Sequence, residues 1–309
     1  MWGLNNLFEK ILTNKEKVFN KFGENVSIDS IIIEENNKVF SHFYNKDSLH
    51  EMRSISKVLI ALAYGIAIDK GLVELNDNIY PVIKDLVTIN EFNLETIKSW
   101  RVKHLLTYSC GYDSQMFSER FIKDIPQEKY LSYVLNYKLT YNAGERYTYN
   151  NADIFLLSVY FQERFKENIK DFVVREIFAP LKIDKFIWED YNGYCPGGTG
   201  LYITHESLFK IGKLILNKGK FDGNQIISRE YIENMCSTQI STPYAVKPER
   251  VLPKEGVGYV MHISKDGYAY KDGSNGQYLI VNFKKNLLIT ILSSEKDMSC
   301  VTEVLRGLV

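Results

Sequence analysis

Three short polar motifs follow one another in a fixed order along the sequence. Ser54-Ile55-Ser56-Lys57 comes first, Tyr149-Asn150-Asn151 second, and Lys271-Asp272-Gly273-Ser274 third. Each motif alone is weak, because other Ser-x-x-Lys and Lys-x-Gly sequences occur in the chain. Only the first motif opens a long apolar segment among the Ser-x-x-Lys sequences, and only the third ends in a hydroxyl residue among the Lys-x-Gly sequences. Their combination in this order predicts an active-site serine hydrolase.

The first motif combines a nucleophile with a base. A serine hydroxyl attacks poorly until a neighbouring group takes its proton. The apolar run from Val58 to Ile68 predicts a buried helix, and Ser54 and Lys57 are spaced to share a face at its start. The positive end of that helix would also favour developing negative charge. The alternative is a capping serine followed by a solvated lysine, but a lysine in an apolar helix is costly without a use.

Tyr149 is the second candidate proton carrier. To act as a base near neutrality, a tyrosine must have its pKa lowered by roughly 3 units, which is about 4 kcal/mol. One lysine at about 4 Å supplies something like 4 kcal/mol before desolvation is subtracted. Lys57 and Lys271 together therefore make Tyr149 a plausible base, with a neutral Lys57 as the rival. A core tyrosine beside two turn-forming asparagines is the alternative reading of this motif.

The third motif fits a strand that approaches a substrate closely. Gly273 would give an edge strand the clearance for a backbone N–H to hold an oxyanion. The N–H groups of Ser54 and Ser274 would be the two donors, each contributing roughly 3 to 4 kcal/mol in comparable sites. The alternative is a simple Lys-Asp-Gly turn, which is the prediction for residues 265–267.

Composition excludes several other function classes. The 309 residues include 38 basic and 38 acidic side chains, so no basic surplus is left for nucleic acid or an anionic membrane. The four cysteines are scattered, which favours reduced thiols and a cytoplasmic location. No signal peptide or membrane span is predicted, since the longest apolar run is shorter than the ~20 residues that cross a bilayer. The five histidines lack metal-binding spacing, so we expect no metal and no cofactor.

Hydrophobic periodicity predicts an α+β chain. Helices are predicted at 4–22, 102–108, 126–137, 153–165, 171–177, 207–216, 229–236 and 298–308, and strands at 27–34, 38–44, 256–264, 268–271, 277–283 and 287–293. Strands near both ends with helices between them predict one antiparallel sheet built from both termini and flanked by helices. Residues 1–70 and 201–309 would form this sheet domain, and residues 71–200 a helical insertion domain, with the site at the seam.

At this point the chain resembles the serine β-lactamase-related family, which includes class C β-lactamases, penicillin-binding DD-peptidases, family VIII esterases and 6-aminohexanoate-dimer hydrolases. The resemblance covers about residues 30–295 and includes, besides the three motifs, the segments 71–77, 102–111 and 197–202. It implies a β-lactamase/transpeptidase-like fold.

The resemblance also implies a role for each motif residue. Ser54 would be the acylated nucleophile, with Lys57 and Tyr149 as proton carriers. Asn151 would bind a substrate amide, and Lys271 would be the strand cation.

One position departs from the family pattern. Asp272 stands where lactam-recognising members usually carry a hydroxyl, and its charge would disfavour anionic substrates. We therefore expect a hydrolase of small esters, amides or peptides, with a β-lactamase or DD-peptidase as the alternative. An inactive ligand-binding module is the alternative of another class. The sequence does not determine the oligomeric state.

Overall fold

The computed structural model describes residues 4–243, 251–307 and 309. Its strands are β1 (Ile28–Glu35), β2 (Lys38–Phe43), β3 (His50–Glu51), β4 (Phe186–Trp188), β5 (Leu201–Ile203), β6 (Lys220–Phe221), β7 (Asn224–Gln225), β8 (Ile240–Ser241), β9 (Gly256–Val257), β10 (His262–Ile263), β11 (Ala269–Gly273), β12 (Gln277–Asn282) and β13 (Leu287–Ser293).

Eight of these strands form one antiparallel sheet in the order β2-β1-β13-β12-β11-β10-β9-β8. The N-terminal strand β1 lies beside the C-terminal strand β13, with Ile31 opposite Ile291 and Ile33 opposite Ile289. The predicted sheet built from both ends of the chain is therefore confirmed. A second sheet joins β3, β5 and β4 next to the first motif.

The helices cover both faces of this sheet, and most of them lie between β2 and β8 in the sequence. They are α1 (Leu4–Lys17), α2 (Lys57–Asp69), α3 (Tyr80–Ile83), α4 (Glu91–Lys98), α5 (Val102–Leu106), α6 (Glu119–Ile122), α7 (Tyr130–Asn136), α8 (Ala152–Phe165), α9 (Ile169–Val173), α10 (His205–Leu216), α11 (Arg229–Met235) and α12 (Met298–Glu303). A π-helical turn, Val174–Phe178, continues α9. None of the described helices is long and apolar enough to cross a membrane.

The alternation of side chains along β1 and β13 builds two cores, one on each face of the large sheet. On one face Ile31 and Ile289 pack with Ile11 of α1 and Val301 of α12. The other face, with Leu288, belongs to the larger core that holds α2, α8 and α10. Both faces are thus covered by helices, which confirms the α+β fold class. Leu308, predicted to extend the apolar face of the last helix, lies outside the described residues.

The α10 helix lies unusually close to the sheet because of a glycine. A Cβ atom on Gly212 would lie 2.6 Å from Cδ1 of Leu288 in β13. A larger residue would force the helix away from the sheet, so the close packing depends on this position.

The predicted strand 256–264 is wrong, because the chain reverses inside it. β9 and β10 are two short strands that pair with each other, with His262 opposite Val257. The turn between them closes through a hydrogen bond from Gly258 N to Met261 O at 2.9 Å, and Val260 has a positive φ of 56°. Its N–H donates to Leu106 O at 2.8 Å, which compensates for the uncommon conformation. Strand-forming residues on both sides of the turn conceal it in the sequence.

Residues 71–200 supply α3 to α9 and the short strand β4. Their separation as an insertion domain remains a prediction. The first motif lies where this region meets the large sheet, since α2 contacts α8 and the turn before α2 contacts β11.

Candidate active site

Ser54 lies in a short 3₁₀ turn, Arg53–Ser56, that leads directly into α2. The turn is held by the Ser56 hydroxyl, which donates to Arg53 O at 2.7 Å, and Arg53 takes a positive φ of 48°. The Met52 N–H donates to Leu201 O at 2.8 Å, which ties the segment to β5. Ser54 itself is half-buried at the wall of a cleft. It is therefore fixed from both sides while its hydroxyl stays accessible.

Lys57 approaches Ser54 from the protein interior. Its side chain is fully buried, and Nζ lies 2.9 Å from Ser54 Oγ and 2.9 Å from Gly198 O. Burial lowers the pKa of Lys57 to about 7, because the charged form is poorly solvated, while the charge of Asp272 partly opposes this. A Cβ on Gly198 would lie 3.1 Å from Nζ, so the glycine leaves room for the amine. The Lys57 amine is therefore within hydrogen-bond distance of the Ser54 hydroxyl.

Tyr149 lies on the other side of the same oxygen. Its hydroxyl donates to Ser54 Oγ at 2.7 Å, and the ammonium nitrogens of Lys57 and Lys271 lie 5.2 and 4.6 Å from its ring centroid. Burial raises the pKa of Tyr149, the charge of Asp272 raises it further, and only the Ser54 hydrogen bond lowers it. Proximity of two lysines therefore does not produce a phenolate here, because burial and the Asp272 charge disfavour it.

Lys271 lies behind the Tyr149 ring rather than in the cleft. It is fully buried and donates to the Tyr108 hydroxyl at 3.3 Å. Burial and the charge of Lys57 lower the pKa of Lys271 well below its usual value. Among the described residues, the cleft lining includes neither Lys271 nor Asp272. The lysine therefore faces the Tyr108 hydroxyl and the Tyr149 ring and not the cleft.

Gly273 brings its strand against the serine turn. A Cβ atom there would lie 2.8 Å from Met52 O, so the glycine is required by the backbone before Ser54. β11 is an interior strand rather than an edge strand, but its partner β10 pairs only with Ala269 and Tyr270. The strand is therefore locally open from Lys271 onward.

The residues expected to bind substrate surround the cleft. Ser274, just after β11, and Asn151 both line it together with Ser54. The Asn151 side chain lies close to Gly198, since a Cβ there would be 3.2 Å from its Oδ1. The cleft thus brings together the predicted nucleophile, Asn151 and the predicted second oxyanion donor.

The cleft in front of Ser54 has a volume of about 460 Å³ and is rich in carboxylates. Glu51, Glu119 and Glu189 line it, and Arg53 is the cation among its described lining residues. Arg53 Nε lies 2.8 Å from Glu51 Oε2 and Arg53 Nη1 lies 3.7 Å from Glu119 Oε2, so one positive charge is shared between two carboxylates. The rest of the wall combines aromatic residues with neutral polar and small ones, among them Phe117, Tyr191, Tyr202, Gln115 and Thr199. The cleft therefore carries a negative excess.

Sequence reasoning missed two residues behind Tyr149. Tyr108 and His262 both contact the Lys271 ammonium, at 3.3 and 3.4 Å. Tyr108 belongs to the segment 102–111 that resembles the family, but nothing in the sequence of that segment indicates a contact with Lys271. His262 reaches the site only because the chain reverses between β9 and β10.

Comparison with known proteins supports the family resemblance. The family model described as Beta-lactamase matches residues 29–299. No curated protein matches the sequence significantly.

Solved structures with a similar fold come from several kinds of protein. The octameric penicillin-binding protein homologue from Pyrococcus abyssi has a TM-score of 0.73 and 20% identity, covering 98% of this chain and 76% of that one. EstCE1, a hydrolase with promiscuous acyltransferase activity, has a TM-score of 0.77 and 12% identity over 98% and 99% of the two chains. The D-stereospecific amidohydrolase from Streptomyces sp. has a TM-score of 0.73 and 12% identity over 97% of each. Identities this low show likeness of fold alone.

Proposed function

Because this chain belongs to the β-lactamase family, a family of serine hydrolases, we propose that it hydrolyses small esters or amides through an acyl-enzyme on Ser54. One observation carries the proposal. The Ser54 hydroxyl is hydrogen bonded to both Lys57 and Tyr149, at 2.9 and 2.7 Å, on the wall of an open cleft. This is the arrangement that an activated nucleophile requires.

Lys57 is the proposed base. With a pKa of about 7, a large fraction of the amine is neutral near neutrality. One of its N–H groups donates to Gly198 O, which leaves the lone pair free to accept the Ser54 proton. Ser54 Oγ then bonds to the substrate carbonyl carbon, and the carbonyl oxygen becomes an oxyanion. We propose the N–H groups of Ser54 and Ser274 as its donors.

Tyr149 is the proposed acid in the next step, in which the oxyanion reforms the carbonyl and the bond to the leaving group breaks. Its raised pKa keeps the hydroxyl protonated, and its contact with Ser54 Oγ places it beside the bond that breaks. When the leaving alcohol or amine departs, Tyr149 gives it a proton and regains one from the Lys57 ammonium. Water then attacks the acyl-enzyme by the reverse roles, releasing the carboxylic acid and restoring Ser54.

The charge of the cleft supports neutral substrates over carboxylate-bearing ones. Glu119 and Glu189 lie on its wall without a compensating excess of cations, so they repel a second carboxylate. Lys271, which would attract a carboxylate, lies behind Tyr149. We therefore prefer an esterase or amidase over a β-lactamase or DD-peptidase, and propose Asn151 as the contact for the substrate's acyl part. The names of EstCE1 and the Streptomyces amidohydrolase are consistent with this preference.

The cysteines support a reducing compartment. All four are free, and Cys110, Cys195 and Cys300 are buried. We propose a cytoplasmic location on this basis.

Intact-protein mass spectrometry after treatment with a fluorophosphonate and, separately, a penicillin tests the proposal. We expect the fluorophosphonate to add one label to the wild type and none to Ser54→Ala, and we expect little or no penicillin adduct. Rapid, stoichiometric penicillin acylation would favour the lactam-recognising alternative. A wild type that no fluorophosphonate labels would favour the inactive binding module.

A further inference from the structure

A histidine and a carboxylate lie directly behind the proposed proton carriers. His262 opens β10, is 2% exposed, and faces β11 through its pairing with Tyr270. Its Nε2 lies 3.2 Å from Asp272 Oδ1 and 3.4 Å from Lys271 Nζ. Its Nδ1 is buried and has no hydrogen-bond partner within the described chain. One ring nitrogen therefore contacts both the Lys271 amine and the Asp272 carboxylate.

The surroundings of His262 determine which of its ring nitrogens carries the proton. Burial lowers the pKa of His262 well below its usual value, and the charges of Lys254 and Lys271 lower it further, so the ring is neutral. Contact with His262 and the nearby lysines lowers the pKa of Asp272, so that carboxyl is ionised. A neutral ring next to a carboxylate places its single proton on Nε2, where it donates to Oδ1. Lys271 then directs its own N–H groups to Tyr108 and the Tyr149 ring.

The position of Asp272 indicates that its charge acts on neighbouring side chains rather than on a substrate. Its side chain is 30% exposed but does not line the cleft among the described residues. Among the groups whose pKa its negative charge raises are Lys57, Tyr149 and Lys271. Both lysine nitrogens lie close to the Tyr149 ring, at 5.2 and 4.6 Å from its centroid, and the Tyr149 hydroxyl contacts Ser54.

From this juxtaposition we infer that His262 and Asp272 form a positioning pair next to Lys271, in which His262 holds the Asp272 carboxylate in place and the carboxylate supplies the counter-charge for the proton carriers at Ser54. The inference rests on the proposed function. It reassigns Asp272 from a repellent of anionic substrates to a part of the proton-transfer machinery. His262 fixes the carboxylate through its Nε2–H, and the carboxylate stabilises the protonated lysines.

The titratable groups around Asp272 come from every neighbouring element. They are His262 of β10, Lys271 of β11, Lys57 of α2, Tyr108 after α5, Tyr149 before α8, and Lys254 before β9, whose Nζ lies 5.6 Å from the Tyr149 ring centroid. Loss of the Asp272 charge removes a stabiliser of protonated lysine and an opponent of the phenolate. The pKa values of Lys57, Tyr149 and Lys271 must then all fall.

Asp272→Asn tests this inference because it keeps the shape and an acceptor for His262 while removing the charge. The readout is the second-order rate of Ser54 labelling by a fluorophosphonate from pH 5 to 10, which needs no knowledge of the natural substrate. We expect the rising limb of the pH profile, which reports deprotonation of the base, to move to lower pH by about one unit. Which group acts as base does not matter, since all three shift in the same direction.

The matched control is Asp266→Asn, the same change in the exposed turn before β11, for which we expect an unchanged profile. His262→Gln, which retains a side-chain N–H donor, should keep more of the labelling rate than His262→Leu. Thermal unfolding of each variant checks the fold.

Two outcomes would overturn the inference. If wild-type Ser54 is not labelled at any pH, the proposed function fails and this inference fails with it. If wild type and Asp272→Asn are both labelled with superimposable pH profiles, the proposed function survives and the positioning pair does not. A uniform loss of rate without movement of the rising limb would likewise reduce Asp272 to a structural residue.

Discussion

The two sides of Ser54 differ in how they hold charge. Behind it, Lys57, Lys271 and His262 are buried against aromatic rings, and burial is the largest cause of every pKa shift there. In front of it, the carboxylates of Glu119 and Glu189 lie on an open wall reached by water. A titratable side chain therefore has its pKa shifted by burial behind Ser54, whereas in front of Ser54 it is surrounded by water.

This comparison separates reactivity from selectivity. Among the buried groups behind Ser54, desolvation decides which group holds a proton, so a small change of charge alters the proton transfer itself. In the cleft, water screens each carboxylate, so charges bias which substrates enter without setting the rate of proton transfer. We expect substitutions behind Ser54 to change kcat and the pH profile, and substitutions in front of it to change the choice of substrate.

The largest effect is expected from Ser54→Ala and Lys57→Ala. Each should lower kcat/KM for p-nitrophenyl butyrate by at least about 1,000-fold, and the double variant should be little worse than either single one. The reason is that the two residues act as one proton-transfer unit. Losses that multiply in the double variant would contradict a shared unit, and Lys57→Met controls for the cavity left by alanine.

Tyr149→Phe should come next. Removal of one hydroxyl should lower kcat by roughly 100- to 1,000-fold while KM changes little, because the proton is needed only as the leaving group departs. Steady-state kinetics with the same ester measures both constants. A change confined to KM would make Tyr149 a binding residue.

Local pattern made the fold and the cluster of side chains around Ser54 predictable from the sequence. The run after Ser54 is apolar enough to indicate a buried helix, and the strand 287–293 was predicted with both its ends as observed. Ser54, Lys57 and Tyr149 belong to recognisable motifs, and the structure brings them within hydrogen-bond distance. Close spacing and characteristic residue types are what sequence can reveal.

The rest depended on tertiary structure. His262 is placed by a chain reversal that strand-forming residues conceal, and the reversal is stabilised by a contact between Val260 and Leu106, far apart in the sequence. The sequence leaves open whether Tyr149 or Lys57 is the base, because it shows the number of nearby lysines but not the depth of burial that raises the pKa of Tyr149. Glu119 and Glu189 carry no motif that would assign them to one cleft.

A smaller effect is expected from substitutions of two carboxylates that line the cleft. Glu119→Gln combined with Glu189→Gln should raise kcat/KM for nitrocefin, which bears a carboxylate, relative to p-nitrophenyl butyrate by roughly two- to fivefold. The wild type should prefer the ester. Glu9→Gln in α1 is the matched control, since that helix packs on the opposite face of the sheet.

A gain that appears equally for both substrates would mean that the carboxylates act on the chemistry rather than on substrate charge. An unchanged ratio would show that an anionic substrate does not reach this part of the cleft. Either result would remove the distinction between the two sides of Ser54.

The central claim is that burial makes Lys57, and not Tyr149, the base. The direct measurement is the pH dependence of kcat/KM for p-nitrophenyl butyrate in the wild type and in Tyr149→Phe. The base must be deprotonated to act, so activity should rise with pH through an apparent pKa of about 7 that belongs to Lys57. This rise should persist at the same pH in the slower Tyr149→Phe enzyme. Its disappearance in that variant, or a wild-type rise close to the ordinary pKa of lysine or tyrosine, would contradict the claim.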